Sequence, residues 1–216
     1  MRRTVAAVFL ILLLLLTGCS GLIHSSSQTI TVSPPGVNSA ASNSISGLSL
    51  SLSLDSATYQ PGQFVNITVD EVNMLKKTNN VSAAGNWAFP GFSVGPCGTL
   101  NYPFGIAIFQ GYYTAGDLST LKPLKLDNPN AVYPCPMILA DISTYTFQSS
   151  GDTADVFQLG GIEPVLTEQM NTQIHPTGYW TGSPNGTLTG FAPGVYTVVA
   201  GDEWGALVVL HFTVSQ

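Results

Sequence analysis

Gly47-Leu48-Ser49-Leu50-Ser51-Leu52-Ser53-Leu54 places four leucines on one side of an extended chain and three serines on the other. Successive side chains of a strand point to opposite faces, so this period of two predicts a strand half-buried against a core. Tyr59-Gln60-Pro61-Gly62-Gln63 follows as a turn, and Phe64-Val65-Asn66-Ile67-Thr68-Val69 resumes the extended pattern, which predicts an antiparallel pair. Working outward, Ile106-Ala107-Ile108-Phe109 running on to Tyr113 predicts another strand, and Ser143 to Phe147 with Asp155 to Leu159 predicts one or two more. At the far end, Val195-Tyr196-Thr197-Val198-Val199 and Leu207-Val208-Val209-Leu210-His211-Phe212 flank Gly201-Asp202-Glu203-Trp204-Gly205. This is a hairpin whose glycines suit turn positions with positive φ. The chain carries no heptad pattern, internal repeat or long amphipathic helix, so the expected class is all-β, an antiparallel sandwich with long loop insertions.

Composition narrows the setting. Charged residues make up 8% of the 216 residues, while Gly, Pro, Ser, Thr and Asn are abundant, as in exported β-rich proteins. At the N-terminus, Arg2 and Arg3 precede an apolar run from Val5 to Leu16 that ends in Leu16-Thr17-Gly18-Cys19. A basic start, a short apolar core and small residues before a cut site read as an export signal, and the core is too short to span a bilayer. Leu-Thr-Gly-Cys resembles the lipobox of prokaryotic lipoproteins. That resemblance implies a signal peptide over 1–18 and a diacylglyceryl group on Cys19 as the first mature residue, with the protein held on the extracytoplasmic face of the cell membrane. The alternative is an ordinary secretory signal with a chance cysteine. Two acyl chains on one residue suffice for stable anchoring.

Loss of Arg2 and Arg3 with the leader leaves four lysines against twelve acids, a net charge of −8. Such a chain has no basic stripe to neutralise phosphates or anionic headgroups, which argues against nucleic acid as a partner. Residues 19–46 read as a lipid-anchored, serine-rich linker: positions 20–46 hold nine serines and no charged side chain. Ile30 and Val32 are its few strand-compatible apolar residues. The folded domain is expected over 47–216. Two stretches within it, roughly 74–104 and 114–140, lack periodicity, and each carries one of the two remaining cysteines, Cys97 and Cys135. In an oxidising compartment the simplest reading is one disulfide joining two loops, worth about 3–4 kcal/mol on a chain-entropy model. A catalytic or metal-binding cysteine is the alternative, although no Cys-x-x-Cys or Cys/His spacing accompanies either residue.

The Leu-x-Leu-x-Leu run, then Tyr59-x-Pro61-Gly62-x-Phe64-Val65-x-Ile67-x-Val69, resembles the opening of immunoglobulin-like sandwich domains of bacterial surface proteins. Pro193-Gly194-Val195-Tyr196-Thr197-Val198 resembles the penultimate strand of such folds, where a tyrosine sits ahead of the terminal hairpin. A similar layout occurs in the bacterial intracellular proteinase inhibitor family. The match covers about sixty residues at the two ends and implies the fold. The export signal and the two central insertions depart from the inhibitor pattern, so no inhibitory residue carries over.

Candidate chemistry is sparse. His175 and His211 are the domain's only histidines, and no Gly-x-Ser-x-Gly elbow accompanies them to form an acyl-transfer triad. His211 falls within the last strand, and His175 precedes Pro176 in a loop. A copper site would need histidines clustered with a cysteine and a methionine; Cys135-Pro136-Met137 has no histidine nearby. Asp152 with Asp155, and Asp202 with Glu203, have charge to offer calcium but not the spacing of a known calcium loop, and turn chemistry accounts for both pairs. Neither a metal nor a cofactor is therefore expected. Trp204, beside Asp202 and Glu203 at the hairpin tip, either stacks on a sugar or a protein partner or folds back over the sandwich edge. Trp87, Trp180, Tyr112, Tyr113 and Tyr179 are further aromatics at loops or strand ends. Asn66, Asn80 and Asn185 lie in glycosylation patterns. The expected role is a surface binding or structural module for a protein or glycan. An extracytoplasmic hydrolase using His175 or His211 is the alternative, and proteinase inhibition a weaker one.

Overall fold

The computed structural model describes residues 28–44, 47–89, 91–92, 103–126, 128, 144–149, 165–166, 169–182 and 186–216. In chain order its strands are β1 (Thr29–Val32), β2 (Ser39–Asn43), β3 (Leu48–Leu54), β4 (Thr58–Tyr59), β5 (Ile67–Asn73), β6 (Asn79–Ser82) and β7 (Phe104–Gln110). They continue as β8 (Thr144–Phe147), β9 (Val165–Leu166), β10 (Gln169–Ile174), β11 (Gly178–Thr181), β12 (Thr187–Gly190), β13 (Gly194–Asp202) and β14 (Ala206–Val214). Leu118–Thr120 forms a 3-10 turn.

The fold is an all-β sandwich. One sheet runs β10-β5-β3-β2 and is antiparallel throughout. The other runs β1-β14-β13-β7, with β4 also laid parallel along β14. The leucines of β3 face inward as their alternation requires, and β5 supplies the facing row Ile67, Val69, Glu71 and Asn73. From the second sheet Tyr196, Val198 and Ala200 pair with Phe212, Leu210 and Val208 to complete the inner core. Tyr196 and Phe212 stack at 5.1 Å, and the Tyr196 hydroxyl donates to the Ala192 carbonyl at 2.9 Å.

β13 and β14 are apolar on both sides because both sides are covered. Val199, Leu207, Val209 and, from β7, Ala107 and Phe109 form a second core with Phe89, Phe92 and Leu118 on the outer face. Gly201 belongs to this packing: a Cβ there would lie 2.5 Å from the Phe92 ring. Among the described residues there are two smaller sheets, β6-β8-β9 and the hairpin β11-β12.

Three sequence expectations change. The second strand starts at Ile67, not Phe64, because residues 63–66 extend the Pro61-Gly62 turn and Asn66 N–H is taken by Asp55 Oδ1 at 3.2 Å; Phe64 is left exposed. The serine-rich linker carries two strands of the sandwich, Thr29–Val32 and Ser39–Asn43: β1 bonds β14 and β2 bonds β3. Small serine and alanine side chains let β2 pack there, and Ser42 Oγ donates to the Thr29 carbonyl at 2.9 Å, tying the two strands together. The first long insertion contributes β6 and the Phe89 and Phe92 cover. Cys19, Cys97, Cys135, the predicted Asp155–Leu159 strand, Asp152 and Asn185 lie outside the described residues.

Candidate functional site

The final hairpin turns over Glu203, Trp204 and Gly205, with Gly205 at φ 98°. Asp202 Oδ1 accepts from the N–H groups of Trp204 and Ala206 at 3.0 and 2.7 Å, so its carboxylate closes the turn as an Asx cap. The tip does not project into solvent. β6 and β8 lie across it, and Asn86 N–H donates to the Glu203 carbonyl at 2.7 Å. Trp204 is only 3% exposed. Its ring meets Tyr145 and Phe147 edge-on at 5.5 and 6.0 Å, and its Nε1 donates to the Ser82 carbonyl at 2.8 Å. Of the two dispositions open to this tryptophan in the sequence, it takes the one that covers the sandwich. An indole that finds both an aromatic wall and an acceptor gains more there than in water.

Asp202 and Glu203 are buried with it. Asp202 Oδ2 accepts from Ser44 Oγ, and Glu203 takes the N–H groups of Ala84 and Gly85 and the Tyr145 hydroxyl. Burial lifts the Glu203 carboxyl to about 7, and it lifts Asp202 above the usual carboxylate range against the hydrogen bonds that oppose it. Burial, then the facing Glu203 charge, pushes the Tyr145 phenol up as well.

The sequence reading passed over the fourth member, Glu71. It is fully buried, against Asp202 and 3.3 Å from Ser44 Oγ. Burial first and the Asp202 charge second push it well above its ordinary range. The signal was legible: continuing the Ile67-x-Val69 alternation two and four residues on puts Glu71 and Asn73 on the buried row. Asn73 is fully occupied there, its amide donating to the carbonyls of Lys77 and Gln148 at 2.9 Å each and its Oδ1 accepting Leu75 N–H. Glu71 and Asp202 have no exposed surface, so the cluster stores charge or protons inside the fold and presents nothing to a substrate in this conformation.

The histidines lie apart from this cluster and from each other. His211 is on the outer face of β14, buried, with Nε2 2.9 Å from the Tyr113 carbonyl and its ring stacked on Tyr112 at 4.1 Å. His175 is exposed; its Nδ1 lies 2.6 Å from Asn66 Oδ1, and Asn66 Nδ2 donates to Asp55 Oδ2 at 2.5 Å. Tyr59 donates to the same Asp55 at 2.6 Å. Burial alone would raise Asp55, but the hydrogen bonds from Tyr59 and Asn66 outweigh it and hold the carboxyl below its ordinary range. Asn66 is thus committed to the network, and Asn80 lies in β6 with its Oδ1 accepting from Thr146.

A partly exposed tryptophan lies elsewhere, on the β11-β12 hairpin. Trp180 stands directly opposite Leu188, and β12 is exposed along its whole length. Tyr179, one residue before, turns the other way and packs on the core. The hairpin adjoins the sandwich through a bridge between Lys125 and Trp180, and through Leu124 N–H donating to Ile108 of β7. Among the described residues no group of three or more His, Cys, Asp or Glu side chains is disposed to hold a metal ion, and no helix is long and apolar enough to cross a membrane. No protein-family model, no curated protein and no solved structure matches the chain.

Proposed function

We propose that this chain is a lipid-anchored, extracytoplasmic binding module, tethered at Cys19 and recognising a protein or glycan at the cell surface. The fold supports an immunoglobulin-like reading: β3-β5-β10 form one sheet, β7-β13-β14 the other, β4 runs parallel to the last strand, and Tyr196 bonds back to Ala192 as in a tyrosine corner. The observation that carries the binding role is the cross-strand pair of partly exposed Trp180 and half-exposed Leu188 on a hairpin at the sandwich edge. A large aromatic beside an aliphatic side chain, on a two-stranded ribbon whose other face is anchored, is a rigid anchor for a partner. This surface takes the place of the Trp204 tip, whose indole is engaged internally.

The hydrolase reading has less support. His211 has one ring nitrogen against a backbone carbonyl and its ring under Tyr112, and His175 pairs with an asparagine. A photocrosslinking residue at Leu188 in the living host tests the binding role. A discrete adduct, lost in Trp180→Ala, is the expected result. Adducts no different from those of a control site on Asp117 would contradict it.

A further inference from the structure

Glu71 occupies an inward position of β5 between Val69 and Asn73, where alternation calls for an apolar side chain, and it meets Asp202 at the end of β13. Among the described residues Ser44 is the only hydroxyl bonded to the pair; its single hydrogen serves Asp202 Oδ2 or Glu71 Oε1, not both. Glu71 Oε2 is buried without a donor among the described residues, and so is Glu203 Oε1. The groups facing the three acids are Ser44 after β2, Tyr145 on β8, the N–H groups of Ala84 and Gly85, and those of Trp204, Gly205 and Ala206 in the turn. Among the described residues no lysine, arginine or histidine acts on any of them. Two ionised carboxylates in contact in a dry interior, with no cation, are strongly unfavourable, whereas a proton between them supplies the missing donor.

We propose that the Glu71 and Asp202 pair, with Glu203 beside it, is a proton-held lock that makes the sandwich most stable in an acidic medium and loosens its final turn as the medium turns alkaline. An extracytoplasmic domain meets the pH of the medium directly, and the lock needs no other ligand. The sign follows from linkage. All three carboxyls are raised in the folded state, so their contribution is whole below the ordinary carboxylate range and is lost as pH rises through the raised folded values, about 7 for Glu203. Composition agrees: with six Lys and Arg and three His in the whole chain, acidification builds little positive self-repulsion.

The test is thermal unfolding of the full-length chain in detergent from pH 3.5 to 9, read by tryptophan fluorescence because Trp204 adjoins the cluster. The melting temperature is expected to peak on the acid side and to fall by roughly 5–10 °C by pH 8.5. Glu71→Gln, whose amide supplies the donor permanently, is expected to flatten that fall and to melt above the wild type at pH 8.5. A melting temperature that rises from pH 5 to 8, or a Glu71→Gln profile parallel to the wild type, would overturn the proposal. So would calcium at pH 8.5 restoring the acid value in the wild type alone, since the cluster would then be a cation site. If Glu71→Gln does not fold, the wild-type profile and that of Glu203→Gln decide the matter in the same way.

Discussion

Trp204 donates its indole N–H to the carbonyl of Ser82, 122 residues earlier in the chain, at 2.8 Å. That bond, with the Tyr145 and Phe147 rings and the Tyr145 hydroxyl on Glu203, joins the last hairpin to the β6-β8-β9 sheet and removes the tryptophan from solvent. Trp204→Ala is therefore expected to cost about 3–5 kcal/mol of stability, the range for deleting a buried aromatic. Trp204→Phe, which keeps a ring but orphans the Ser82 carbonyl, should cost less. Urea unfolding followed by circular dichroism checks both, as a lower midpoint with unchanged slope.

Tyr196 closes a local constraint through its hydroxyl bond to Ala192, four residues earlier. Tyr196→Phe retains the stack on Phe212 and the edge contact with Phe191 but leaves a carbonyl unpaired. The expected loss is about 1–2 kcal/mol in the same unfolding assay.

Gly201 is extended and lies under the ring of Phe92, with Leu207 also within 3.1 Å of where a Cβ would sit. Gly201→Ala should therefore destabilise by about 1–3 kcal/mol through overpacking, although alanine suits strands better than glycine. Pairing it with Phe92→Leu should recover part of that loss, which a double-mutant cycle of unfolding midpoints measures.

Asp55 gives the opposite pH response to the buried acids. Its carboxyl is held below the ordinary range by bonds from Tyr59 and Asn66, so its contribution is present above the unfolded value and lost as pH falls through the folded one. Asp55→Asn is expected to lower the urea midpoint at pH 6 and to match the wild type at pH 2.5.

Much of this architecture was readable in the residues. Alternation in Leu48–Leu54 placed β3 and its buried face, and the two apolar runs around Gly201 to Gly205 placed β13 and β14. What was not readable depends on distant chain. Nothing local to Trp204 announces that Ser82, Tyr145 and Phe147 will cover it. Serine, alanine and asparagine in Ser39–Asn43 resemble a linker until β3 offers an edge to pair with. Glu71 draws no notice in the sequence because the predicted strand stops at Val69, two residues before the alternation carries it inward.

The central claim is attachment at the cell surface through Cys19, and the mass of the mature N-terminal peptide in protein taken from host membranes tests it most directly. A peptide that begins at Cys19 and carries a diacylglyceryl group is the expected result. A chain that retains Met1, or one cut elsewhere with an unmodified Cys19 and recovered in the soluble fraction, would contradict it.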